Sequence, residues 1–118
     1  MHFGAWHPIS EASAAAPDAG GVLQTRAEGA MDYRVGRSAM VMYACAGPDE
    51  TLRRFVAGRG ARDLQRAVAA GARWIRFAES ANAAAELDRL LKTFTERFGS
   101  PPIANAGTTR RLDRDTSE

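Results

Sequence analysis

The pattern of apolar and polar positions divides the chain into a short lead-in, a patterned middle and a polar end. Gly20 and Gly21 introduce Val22-Leu23-Gln24-Thr25-Arg26, a short strand. A polar stretch with Gly29, Asp32, Gly36, Arg37 and Ser38 follows. Residues 39–46 then form a nearly continuous apolar run between Gly36 and Gly47-Pro48. That run has strand length, and its unbroken apolar character predicts a strand covered on both faces. Asp49 is placed to cap a helix starting near Glu50, with Leu52, Phe55 and Val56 inward and Gly58 as its end. A second helix is expected over 63–70, with Leu64, Val68 and Ala69, stopped by Gly71. Residues 73–77, with Trp74, Ile75 and Phe77, give a third strand. Ser80 is placed to cap the longest helix, expected over 81–98. Leu87, Leu90, Leu91, Phe94 and Phe98 follow helical spacing, and Gly99 with Pro101-Pro102 ends the helix.

The predicted order is β-β-α-α-β-α, an α+β fold with a small three-stranded antiparallel sheet flanked by helices. Strands one and two are expected to pair antiparallel, because no crossover helix joins them. Residues 1–20 read as a loosely ordered lead-in, with Trp6 tucked against the body. Residues 21–105 form the domain, and residues 106–118 read as a disordered polar tail.

Length supports one modest core: 118 residues, 45% hydrophobic and 25% charged. The inventory also excludes chemistry. Cys45 stands alone, so no internal disulfide forms and no Cys/His cluster exists for zinc. Both histidines, His2 and His7, precede the patterned region, which rules out a hydrolase built on core histidines. No segment approaches the roughly 20 apolar residues of a membrane helix, and the start lacks a secretory pattern. The expectation is a cytoplasmic protein with no membrane partner.

Net charge is only +2, but its distribution is uneven. Residues 51–78 carry Arg53, Arg54, Arg59, Arg62, Arg66, Arg73 and Arg76 against one acid, Asp63. Such a segment suits phosphate or an acidic partner, although a solvated basic face is the commoner outcome.

Several residues in this order resemble the GIY-YIG nuclease superfamily over about residues 20–105. Gly21-Val22-Leu23 stands for the Gly-Ile-Tyr strand without its tyrosine, and Met31-Asp32-Tyr33 is the other register. Tyr43-Ala44-Cys45 stands for Tyr-Ile-Gly, with cysteine in place of glycine. Arg53-Arg54-Phe55 matches the arginine-bearing helix. The motif points to Arg54, whereas the helical wheel puts Arg53 on the flank of the apolar face and Arg54 nearly opposite. Ala84-Ala85-Glu86-Leu87 resembles the glutamate-bearing helix, and Asn105 falls at the asparagine position after FGSPPIA.

The resemblance implies hydrolysis of a DNA phosphodiester. Glu86 would hold Mg²⁺ or Mn²⁺, Tyr43 would help deprotonate water, and Arg53 or Arg54 would offset phosphate charge. Arg37, in Gly36-Arg37-Ser38, resembles part of a phosphate-holding turn, without the full P-loop pattern or its helix. With Asn105 it completes the candidate substrate-binding set. Each residue also has a plain structural use. Tyr43 suits a core position, Arg53 and Arg54 a surface, Glu86 an ion pair with Arg89, and Asn105 a turn cap. The missing tyrosine at Leu23 and the cysteine at position 45 favour a catalytically inactive descendant. That descendant would be a nucleic-acid-binding or protein-interaction module.

Overall fold

The computed structural model describes residues 2–105; the expected polar tail, 106–118, lies outside the described residues. Four strands form one antiparallel sheet: β1 (His7–Pro8), β2 (Gly21–Asp32), β3 (Arg37–Cys45) and β4 (Ala72–Glu79). Their spatial order is β1-β4-β2-β3. The helices are α1 (Ala12–Ala15), α2 (Leu52–Ala57), α3 (Ala61–Ala69) and α4 (Ala83–Phe98).

The α+β class and the three principal strands match the pattern, but the sheet has a fourth strand. His7 and Pro8 pair with Ile75 and Trp74 on the outer edge of β4. The lead-in is therefore more structured than its Ala, Ser and Pro content suggested. A 3-10 turn over Ile9–Glu11 and then α1 follow, and Ala12 and Ala16 enter the core. Small side chains gave no periodic signal there, yet they allow α1 to approach α2 closely.

β2 is longer than expected, and it unites most of the two proposed registers. Gly21-Val22-Leu23 opens the strand and Met31-Asp32 closes it, with Tyr33 just beyond. Gly21 lies tight against the β4 backbone: an added Cβ would collide with the Ala78 carbonyl oxygen. Glycine at this position is thus fixed by strand–strand approach. Register shifts occur where Thr25 faces Met42 but Arg26 faces Met40, and where Arg26 faces Trp74 but Ala27 faces Ala72. Val41 and Arg73 are the extra residues at these bulges.

Cross-strand partners share a face of the sheet, and successive residues alternate. Leu23 is opposite both Ala44 and Phe77, and Thr25 is opposite both Met42 and Ile75. This first face is dry. It packs with Ala12, Ala16, Leu52, Phe55, Val56 and Ala67 from α1, α2 and α3 and the chain beside them. Gln24 is opposite both Tyr43 and Arg76, so these three occupy the second face. There α4 lays Phe94 against Tyr33 and Tyr43, with ring centres 5.1 and 5.8 Å apart.

Two expected caps move by two residues. The α2 cap is Thr51, not Asp49: its hydroxyl accepts from the Arg54 N–H at 3.2 Å. The carboxylate of Glu50 instead accepts from the Gly47 N–H at 2.8 Å, closing the preceding turn. α4 begins after Asn82, not Ser80, whose hydroxyl accepts from the Asn82 N–H and shapes the approach. The far end of α4 is as expected, with Gly99 left-handed at φ 81°.

Candidate functional site

The residues singled out by the resemblance occupy four different settings. Tyr43 lies in β3 with its side chain on the second face, 7% exposed. Burial, with the neighbouring Tyr33 adding to it, pushes its phenol up to about 12; Arg76 pulls the other way. A phenol held in its protonated form is a hydrogen-bond donor and a poor base. Tyr43 is joined by Asn105, but through the backbone. The Asn105 carboxamide accepts from the Tyr43 N–H at 2.8 Å and donates to the Tyr43 carbonyl at 2.9 Å. Asn105 thereby pairs with the outer edge of β3 as a neighbouring strand would, which is a structural use of the residue.

The two arginine alternatives lie across the sheet from Tyr43. α2 packs on the first face through Leu52, Phe55 and Val56. Arg53 turns back to donate from Nε to the Ala16 carbonyl at 3.1 Å, tying α2 to the end of α1. Arg54 is exposed and makes no ion pair among the described residues.

Glu86 sits in the first turn of α4 and forms an ion pair with Arg89 at 2.5 Å. That hydrogen bond holds its carboxyl below the usual glutamate range. No group of three His, Cys, Asp or Glu side chains suited to a metal ion occurs among the described residues. The donor set at Glu86 is one carboxylate, and a hydrated Mg²⁺ or Mn²⁺ there would compete with Arg89 for it.

Arg37 belongs to the other end of β3. It pairs with Asp32 at 3.1 Å and donates to the Ala30 carbonyl, which fastens the β2–β3 hairpin. Six residues separate it from Tyr43, roughly 20 Å of strand. Tyr43 and Asn105 thus come together, whereas Arg37, Arg53, Arg54 and Glu86 do not join them.

A cleft of about 940 Å³ opens where β3 ends, with Tyr43, Cys45, Glu50, Arg59, Asp63 and Asn105 among its lining residues. Both arginines of its lining are already matched: Arg59 pairs with Glu50 at 2.7 Å and Arg66 with Asp63 at 3.2 Å. Burial pushes the Cys45 thiol up, away from the reactive thiolate. The cleft is concave, but it offers no activated group.

A more unusual arrangement lies on the second face, on the β4 side. Arg76 is directly opposite Gln24, and Arg26 is opposite Trp74, so the two arginines are diagonal neighbours. Arg76 donates from Nε to Gln24 Oε1 at 2.7 Å. Both guanidinium groups lie over the Trp6 ring, at 5.0 Å for Arg26 and 4.4 Å for Arg76. Phe3 lies 4.7 Å from Arg76. Neither arginine forms an ion pair among the described residues. The Arg26 Nε is buried without a hydrogen-bond acceptor. Burial and the charge of Arg26 both lower Arg76 from the usual arginine value, with burial the larger cause; Tyr43 opposes them.

The GIY-YIG resemblance assigns no role to Gln24, Arg26, Arg76 or Trp6. The available signal was period two: Gln24 and Arg26 alternate within β2, and Arg76 interrupts the apolar Trp74-Ile75-Arg76-Phe77. No family model, no curated protein and no solved structure matches this chain.

Proposed function

We propose that this chain is a nucleic-acid-binding module on a GIY-YIG-like scaffold, and that it holds DNA without cutting it. The observation that carries the reading is the exposed, unpaired set Arg54, Arg62 and Arg73 on the successive elements α2, α3 and β4. None of the three forms an ion pair among the described residues, and Glu50 pairs with Arg59 and Asp63 with Arg66. Arginines of this kind contact phosphates and release counterions, which gives affinity without sequence readout. Hydrolysis would need Tyr43, an α2 arginine and Glu86 at one phosphate. The opposite faces taken by Tyr43 and α2, and the Arg89 partner of Glu86, argue against that convergence.

Fluorescence anisotropy with a labelled DNA duplex tests the binding. Affinity is expected to fall steeply between 50 and 200 mM salt, by roughly tenfold or more. Replacing Arg54, Arg62 and Arg73 together by glutamate is expected to abolish binding while the melting temperature is kept. Salt-insensitive binding, or none at low salt, rejects the reading. Plasmid nicking in Mg²⁺ or Mn²⁺ that disappears with Tyr43→Phe or Glu86→Gln would restore the hydrolytic alternative.

A further inference from the structure

We infer that the strip of the second face between α4 and residues 3–6 is a binding site for one oxyanion group, a phosphate or a carboxylate, held by Arg26, Arg76, Gln24 and Tyr43. This site is separate from the exposed arginines of α2, α3 and β4, and it stands or falls without them.

The donors converge because of strand register. Tyr43, Gln24 and Arg76 form one row across β3, β2 and β4, and Arg26 is the next residue of β2 on the same face. Gln24 is 4% exposed, and its amide oxygen is occupied by Arg76. Its amide nitrogen is then the end left to donate. The Tyr43 hydroxyl has no hydrogen-bond partner among the described residues, and burial keeps its proton in place. Two guanidinium groups, one amide N–H and one phenolic O–H make a set composed of donors. No carboxylate balances it among the described residues. A cation as ligand is excluded by the same set.

The arrangement is also unfavourable as it stands. Two like charges share one aromatic ring, and the Arg26 Nε is buried without an acceptor among the described residues. A buried donor without a partner opposes folding, and cation–π contact with Trp6 offsets only part of that. One oxyanion between the arginines would remove both faults together. Trp6 lies against both cations and Phe3 against Arg76.

Titration of the intact chain with sodium phosphate and sodium acetate, at ionic strength held constant with sodium chloride, tests the site. Tryptophan emission and melting temperature are read together, since Trp6 lies against both cations. The expected result is a saturable change in emission with a rise in melting temperature, given by phosphate, acetate or both. A stronger response to phosphate assigns a phosphate ligand, and a stronger response to acetate assigns a carboxylate. Arg26→Gln is expected to weaken the response at least tenfold. In the absence of oxyanion it should melt no lower than the parent chain, because it removes an unmatched charge. Arg34→Gln, in the exposed turn between β2 and β3, should leave the response unchanged. A response no different from that to chloride overturns the inference. So does an Arg26→Gln chain that melts lower without oxyanion, which would make Arg26 a structural partner of Trp6.

Discussion

The two faces of the sheet differ in what they bury. The first carries Leu23, Thr25, Met42, Ala44, Ile75 and Phe77, each at most 9% exposed, packed with the layer of α1, α2 and α3. The second carries Gln24, Arg26, Tyr43 and Arg76 beside the buried Val22 and Ala78, covered partly by α4 and partly by Phe3 and Trp6. Burial of apolar area stabilises the first face at about 25 cal/mol per Å². The second gives up part of that gain to keep two partly buried cations without an ion pair among the described residues. The lesson is a division of labour: one face holds the fold together, and the other retains polar groups that folding alone does not require.

The sharpest way to break this comparison is to truncate an anchor on each face. Phe55→Ala empties a 1% exposed position over the first face and is expected to cost about 3–5 kcal/mol in urea unfolding. Trp6→Ala on the second face should cost less, about 1–2 kcal/mol, since it removes cation–π contacts and a half-buried ring. Equal losses would erase the distinction between the faces. Asn105→Ala tests whether the outer edge of β3 needs its two-bond partner. The expected loss is about 1–3 kcal/mol, with faster amide exchange at Tyr43 as the local sign. Thr51→Ala, which removes the α2 cap, should cost about 1 kcal/mol by the same unfolding measurement.

A further expected effect is one of pH. The Tyr43 phenol is raised from 10.0 to about 12 in the folded chain, and Tyr33 is raised as well, both by burial. Above pH 10 the unfolded chain loses a tyrosine proton that the folded chain keeps, so it binds fewer protons. The contribution of Tyr43 to stability is therefore full below pH 10 and is lost as pH rises to about 12. Urea midpoints measured across that interval should decline, and Tyr43→Phe should flatten the decline to the part due to Tyr33. An unchanged slope in Tyr43→Phe would mean that the second face is wetter at Tyr43 than its 7% exposure indicates.

Much of the fold was legible along the chain because it rests on local rules. The apolar run before Gly47 has strand length, Leu52, Phe55 and Val56 share one helical face, and Gly99 permits a left-handed stop. The edge strand at His7–Pro8 was not legible. Two residues carry no period, and their pairing depends on where β4 happens to end up. The displacement of the α2 cap from Asp49 to Thr51 has a similar cause. Both residue types cap helices, and the choice followed from Glu50 closing its own turn on Gly47.

The candidate site divides along the same line. The roles implied for Tyr43, Arg53, Arg54 and Glu86 came from residue type in chain order, which says nothing about faces. A sheet has two sides, and α2 and Tyr43 took different ones. Arg26 and Arg76 are 50 residues apart and share no motif, so nothing in the one-dimensional pattern linked them. Only the register of β2 against β4 made them neighbours, and only the return of the chain at β1 brought Trp6 to their side.

The sequence by itself determined the class of fold, the positions of α2, α3, α4 and the principal strands to within a few residues, and the arginine-rich character of residues 51–78. Those properties follow from side-chain periodicity and from Gly and Pro placement, which act over a few residues. The tertiary structure alone decided which polar residues meet, because pairing across strands is set by register. A one-residue shift of β2 would send Gln24 and Arg26 to the opposite face, away from Tyr43 and Arg76.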